Sequence, residues 1–329
     1  MRQQTTLFKA PWFLLDGHMQ TIWPSLFRQI TWDAQPERLT FRTEDNDELW
    51  ADYYPHKEPK ALAILCHGLE GHSRRPYILG MARALYGAGM SVLAWNYRSC
   101  GGQMNNTAIF YHSGATYDLK VVLSQLPGDK QLPVFLVGFS LGGNLVLRFL
   151  GEAQQSVPER VKGAAAISVP LFLADGADQL NRGLSRLYTR NFLKSLRLKI
   201  KEKANHFPGL YRMQQLHKVD SLRAFDEQFT APIHGFGSAD DYYARASAGF
   251  VLEQIAKPVL LIQAKNDPFL PQTCFPDPAN RLIEKCYPNE GGHVGFMQAG
   301  KINSFAEDRV IQFFEKLCIT CSNHPVESS

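Results

Sequence analysis

From Ala61 onward the chain carries short, nearly unbroken apolar runs: ALAILC (61–66), SVLAWNY (91–97), VFLVG (134–138), VKGAAAIS (161–168) and PVLLIQA (258–264). Runs of this kind read as strands buried on both faces, because a strand with one wet face alternates instead. Helical stretches separate most of them, including YILGMARALYGAG (77–89), ATYDLKVVLSQLP (115–127) and NLVLRFLGEA (144–153). Strand and helix in alternation predict a mostly parallel central sheet flanked by helices, with right-handed crossovers. Upstream, LTFRT (39–43) and LWADYY (49–54) flank the turn-rich EDND. That is a hairpin signal, so residues 1–60 are expected to form a leader and a small β meander belonging to the core.

The alternation stops between Pro170 and about Ile255. This segment is long, largely helical in pattern and bounded by two sheet strands. It predicts a mainly helical cap over 170–255, inserted into an α/β core made of 61–169 and 256–320. Within GLSRLYTRNFLKSLRLKIKEK (183–203), Leu184, Leu187, Tyr188, Phe192, Leu196 and Ile200 recur at near-helical spacing. Arg182, Arg186, Arg190, Lys194, Arg197 and Lys201 occupy much of the remaining surface. The expectation is a cap helix with a solvated basic face, preferred over one that contacts a membrane or an anionic substrate.

Composition narrows the class. A chain of 329 residues that is 45% hydrophobic can bury a large core, which excludes a disordered or fibrous protein. The net charge of +4 is too mild to argue for nucleic acid. In MRQQTTLFKAPWFLLDG the only apolar run, WFLL, ends at Asp16, so no secretory signal is expected. The uncharged window from Gln131 to Leu147 is broken by Pro133, Ser140 and glycines, unlike a spanning helix. A cytoplasmic protein without a transmembrane segment follows, with peripheral membrane contact left open. Cys66, Cys100, Cys274, Cys286, Cys318 and Cys321 are too sparse for a disulfide framework and are expected to be reduced thiols. Cys318 and Cys321 form a CITC motif near His324, but there is no second CxxC pair, so incidental thiols at a helix end are expected rather than a metal site.

The candidate chemistry centres on Gly138-Phe139-Ser140-Leu141-Gly142, placed directly after a predicted buried strand and before a predicted helix. A nucleophile elbow requires that context: glycines permit a strained turn that holds the serine hydroxyl outward, and the helix N-terminus aims backbone N–H groups at developing negative charge. The Leu141 N–H is the expected first oxyanion donor. The Leu69 N–H, in His67-Gly68-Leu69-Glu70-Gly71 after ALAILC, is the expected second. Serine also needs a base, and the base an orienting acid. His293, in NEGGHVGF after the predicted strand RLIEKCY (281–287), suits the base; Asp267, in AKNDPFLP, suits the acid. His67 is expected to hold the oxyanion loop. His112, with Asp118 as a polar partner, precedes Ser140 and so has the wrong order for the base. His234 is expected to line the pocket from the cap side, Asp277 is the second choice of acid, and adjacent Asp240 and Asp241 point apart.

These motifs resemble the α/β-hydrolase superfamily. GHMQTIWPSLFR (17–28), NYRSCGG (96–102), YHSGATYDL (111–119) and APIHGFGSADDYYARAS (231–247) narrow the resemblance to the YheT-like esterases, over almost the whole chain. The resemblance implies carboxylic ester hydrolysis by Ser140, Asp267 and His293 on a small or lipid-like ester, without metal or organic cofactor. An acyltransferase or thioesterase would use the same acyl-enzyme. A binding module without catalysis fits less well, because nucleophile, base, acid and both donor loops are all present.

Overall fold

The structure, a computed structural model, describes residues 8–152 and 156–322. Its centre is an eight-stranded sheet: β1 (Glu37–Arg42), β2 (Glu48–Tyr54), β3 (Ala61–Cys66), β4 (Met90–Asn96), β5 (Val134–Phe139), β6 (Val161–Ile167), β7 (Val259–Ile262) and β8 (Ile283–Cys286). The spatial order is β1-β2-β4-β3-β5-β6-β7-β8. The hairpin strands β1 and β2 run antiparallel to their neighbours, and every other pairing is parallel.

The apolar runs have a simple cause, visible in β3. Leu62, Ile64 and Cys66 enter one core, while Ala61, Ala63 and Leu65 enter the other. The first core is closed by α3 (Thr116–Ser124) and α4 (Leu141–Glu152), through residues such as Leu119, Val122, Val146 and Phe149. The second is closed by α2 (Pro76–Gly87) and the C-terminal helix, through Ile78, Met81, Leu85, Phe313 and Phe314. Strands covered on both sides have no polar positions to show.

Ahead of the β1–β2 hairpin, the leader contains a helix that the sequence pattern did not specify. Residues Gly17–Phe27 form helix α1, with Asp16 as its N-cap accepting a hydrogen bond from the Met19 amide at 2.8 Å. A capped start followed by Pro24 inside the helix was masked in the sequence by the short, mixed apolar pattern.

Between β6 and β7 the chain runs through α5 (Leu173–Leu180), α6 (Arg186–His206), α7 (Leu222–Phe225), α8 (Ala231–Ile233) and α9 (Ala239–Ala246), and α10 (Phe305–Ser322) ends the described chain. A separate small core of Phe110, Leu193, Leu196, Ile200, Tyr211, Phe225 and Phe229 holds α6 against its neighbours. Arg182, Arg186, Arg190, Lys194 and Lys201 of the expected basic face are exposed and Arg197 is half-buried, while Lys199 and Lys203, outside that face, are buried; Leu184, just before α6, and Leu187, placed on the apolar face by spacing, are exposed. Leu193 joins Leu196 and Ile200 of the expected face inside, and the buried lysines have specific acceptors, described below.

Candidate active site

Ser140 stands alone between the end of β5 and the start of α4, with φ at 53°. A non-glycine residue tolerates that left-handed backbone only where its surroundings over-determine it. Here a Cβ on Gly138 would lie 2.2 Å from the Gly142 carbonyl oxygen, and one on Gly142 would lie 2.3 Å from that of Cys66. The glycines of the pentapeptide are therefore demanded by backbone crowding, and the turn is pinned by the Ser140 amide donating to the Ile167 carbonyl at 2.8 Å.

The three residues named from sequence order lie in one hydrogen-bonded row. The Ser140 Oγ is 2.9 Å from His293 Nε2, and His293 Nδ1 lies 2.8 and 3.1 Å from the Asp267 Oδ2 and Oδ1. An ionised carboxylate only accepts, so Nδ1 carries the proton and Nε2 faces the serine hydroxyl as an acceptor. The carboxylate is steadied by the Phe269 amide at 2.9 Å, and the Phe269 ring stacks on His293 with centroids 4.1 Å apart. Asp267 and His293 are both buried, while Ser140 keeps partial access.

The loop after β3 comes to the same place. A Cβ on Gly68 would sit 3.2 Å from Ser140 Cβ, and Gly68, Leu69, Ser140 and Leu141 share one cavity wall. His67 is fully buried beneath this loop. Its Nε2 accepts from the Tyr97 amide at 3.3 Å, which leaves the proton on Nδ1 to donate to the Gly68 carbonyl at 2.8 Å. Burial holds its pKa down to about 3, so it stays neutral and structural. Tyr77 accepts from the Gly68 amide at 3.0 Å, and Tyr111 accepts from the Glu70 amide at 2.8 Å while donating to its carboxylate. That carboxylate also takes the Lys199 ammonium at 2.5 Å and the Ser195 hydroxyl, both from α6. Both ends of the ion pair are buried. Burial opposes the Lys199 charge, but the Cys100 sulfur and the Glu70 carboxylate hold its pKa above the ordinary lysine value.

Helix α1 supplies a second set of positioning contacts, which motif reading did not reveal. The Thr21 hydroxyl accepts from the His293 amide at 2.8 Å. The Gln20 side-chain oxygen accepts from the Gly291 amide at 2.6 Å and from the Asn266 amide group at 3.0 Å. A Cβ on Gly17 would lie 1.8 Å from the Asn266 carbonyl oxygen, so only glycine lets α1 approach this closely. The leader thus ties the acid loop to the histidine loop. Asn144, at the end of GFSLGGN, plays a comparable part: its amide group donates to the Ser113 and Ala246 carbonyls, and its oxygen accepts from the Ala248 amide. The only sequence signal for either set was the run of family-like segments around them.

The alternatives fall elsewhere. Asp118 is bound by Arg98 at 2.8 to 3.1 Å rather than by His112. Asp277 is exposed and pairs with Lys285. His112, not His234, lines the cavity; the two rings pack 4.5 Å apart, and burial keeps both below the ordinary histidine pKa. Asp240 pairs with Arg223, and Asp241 accepts from the Gly237 amide. Cys318 lies in α10, whereas the Cys321 side chain and His324 fall outside the described residues. No cluster of three or more potential metal ligands occurs among the described residues.

The serine opens into a cavity of about 410 Å³. Its walls include Ile22 and Leu26 of α1, Phe110, Tyr111, Phe192 and Leu196, with Asp226, Tyr242 and Tyr243 among the polar lining. The chemistry available is a serine hydroxyl hydrogen-bonded to an imidazole and facing a mostly apolar space.

The model of the alpha/beta hydrolase fold matches residues 63–299. Putative esterase YheT of Escherichia coli is 34% identical over 287 residues, which are 85% of this chain and 84% of that protein. Phospholipase ABHD3 of Mus musculus is 31% identical over 75% of this chain, and the match spans only 61% of that longer protein. Among solved structures, the Pyrococcus furiosus esterase Pf2001 superposes with a TM-score of 0.56 at 16% identity, covering 88% of this chain and 96% of that one; at such identity the likeness speaks for the fold. Sheet order, elbow and relatives agree: the chain belongs to the YheT-like esterase family of the α/β hydrolases.

Proposed function

We propose that the protein is a serine carboxylic ester hydrolase acting through an acyl-enzyme on Ser140. The observation that carries this reading is the row from the Ser140 hydroxyl through His293 to Asp267, at the wall of an apolar cavity. In the first step Ser140 Oγ attacks the ester carbonyl as its proton passes to His293 Nε2. Asp267 fixes the imidazole and stabilises its charged form, and the Leu69 and Leu141 amides hold the oxyanion. Collapse expels the alcohol, which takes the proton from His293. Water, deprotonated by the same histidine, then releases the carboxylic acid and restores the serine.

Residues 170–255 serve as the cap that sets the size of the acyl or alcohol site. A lipid-like substrate is supported by the surface around α1, where Trp12, Leu15 and Phe27 are exposed beside Ile22 and Leu26 of the cavity lining. Exposed Leu187 and the Arg186 and Arg190 side chains adjoin it through the hydrogen bond and ring stack between His18 and Tyr188. An apolar rim edged with positive charge suits transient contact with a lipid surface.

The test is labelling with a fluorophosphonate and turnover of p-nitrophenyl butyrate. Stoichiometric labelling at Ser140, abolished together with turnover in a folded Ser140→Ala variant, is the expected result. Unchanged ester turnover in that variant refutes the proposal.

A further inference from the structure

One part of the cavity departs from its apolar character. Asp226 begins a π-helical turn, Asp226–Thr230, wedged between α7 and α8. A π-turn carries an extra residue, re-aims the side chains on it, and recurs at functional sites. The Asp226 carboxyl lines the same cavity as Ser140 and His293. Its Oδ1 accepts from the Thr230 hydroxyl at 2.6 Å and its Oδ2 from the Tyr243 hydroxyl at 2.7 Å. A carboxylate offers about four acceptor positions, so these two bonds leave roughly half of its capacity free. Phe110, Phe225 and Tyr242 complete the surroundings, and none of the three rings supplies a second charge. A bound molecule that donates to a spare position makes a charge-assisted hydrogen bond, stronger than one between neutral groups.

The neighbouring groups decide what kind of donor fits. The Arg223 guanidinium lies 5.2 Å over the Tyr243 ring and is held by Asp178 and Asp240. Burial pushes the Asp226 pKa up to about 6, against the pull of the Thr230 and Tyr243 hydrogen bonds and of Arg223, so the carboxyl is ionised above that pH. A hydroxyl matches the short O–H···O bonds that Thr230 and Tyr243 already make to the same group.

We propose that Asp226 recognises a free hydroxyl on the substrate, so that the protein selects esters bearing a hydroxyl away from the scissile carbonyl over esters that are apolar throughout. This rests on the ester-hydrolase reading, and it deepens that reading by naming what distinguishes a preferred ester. Thr230 and Tyr243 are positioning residues that hold the carboxylate toward the cavity.

The experiment compares matched esters that differ by one hydroxyl for one methyl: 3-hydroxypropyl octanoate against butyl octanoate, and ethyl 8-hydroxyoctanoate against ethyl nonanoate. These place the hydroxyl on the alcohol and acyl sides respectively, and 3-aminopropyl octanoate adds a cation. A hydrogen bond to a charged acceptor predicts about a 10- to 100-fold advantage in kcat/KM for the hydroxyl member of at least one pair. Asp226→Asn, which keeps shape and lacks the charge, is expected to reduce that ratio about tenfold. A wild-type ratio near one in both pairs overturns the proposal whether or not the variant folds. So does a ratio unchanged in folded Asp226→Asn, or a preference for the ammonium ester over the hydroxyl ester. If no ester is turned over and Ser140 takes no fluorophosphonate, it is the hydrolase reading that fails instead.

Discussion

The ion pair between Lys199 and Glu70 joins the segment over the cavity to the loop that carries the proposed oxyanion donor Leu69, and replacing Lys199 with Met isolates its effect. The pair is buried at both ends, with the ammonium 2.5 Å from the carboxylate. Glu70 itself sits at φ 52°, a conformation that its neighbours must enforce. Lys199→Met leaves the Glu70 carboxylate uncompensated in the interior, which costs about 3 to 5 kcal/mol. For 329 residues, an unfolding entropy of roughly 2.1 cal/mol/K per residue converts this into a Tm lowered by about 4 to 7 °C.

Catalysis should suffer more selectively. Losing one oxyanion donor costs about 100- to 1000-fold in kcat, and a displaced donor some part of that. We expect kcat for p-nitrophenyl butyrate to fall about 10- to 100-fold while KM changes little, because the donor acts on charge that develops only in the transition state. Adding Glu70→Gln to Lys199→Met removes the stranded charge, so the double variant should regain most of the lost Tm. Thermal unfolding by circular dichroism and steady-state kinetics on both variants read the two effects. A single variant that unfolds within 1 °C of the parent and keeps kcat within about twofold would refute the reasoning.

Three further outcomes are expected. Asp267→Asn preserves the shape of the site but favours the wrong histidine tautomer, and should lower kcat by about 10,000-fold, while Asp277→Asn stays close to the parent in the same assay. Thr21→Val leaves the buried His293 amide without its acceptor at 2.8 Å, and should lower kcat about tenfold or more with an intact far-ultraviolet spectrum; unchanged kcat would dismiss the role given to α1. His67 has a folded pKa of about 3, below its unfolded value near 6.5, so the stability it supports is complete above pH 6.5 and is lost as pH falls toward 3. Between pH 7 and 5 its share of the loss is about 2 kcal/mol, and denaturant titrations should show that much less acid sensitivity in a folded His67→Gln variant.

What was legible in the sequence follows from where the chemistry is local. The elbow could be read because strand, strained turn and helix are consecutive, and because Gly138 is forced by backbone atoms of Gly142 and Gly143 in the same turn. Ser140, Asp267 and His293 could be named because each ends a strand or follows one, and the carboxyl edge of a parallel sheet gathers such loops. The helix in the leader and its contacts were not foreseen, since the value of Gly17, Gln20 and Thr21 lies in partners 246 to 272 residues away. The basic helix was judged only in part. Spacing put Leu184 and Leu187 inside, but both are exposed and Tyr188 and Thr189 make the contacts there, whereas Lys199 and Lys203 reach acceptors at Glu70, Asn105 and Thr107.

The sequence by itself determined the sheet, the elbow and the order of the candidate triad residues, because hydrophobic periodicity and turn chemistry act between near neighbours. Only the tertiary structure decided which side chains hold those groups in place and what faces the cavity. Asp226, Lys199 and the α1 contacts take their meaning from charges and acceptors brought together by packing, and a charge's cost or benefit depends on what surrounds it in space, not on what precedes it in the chain.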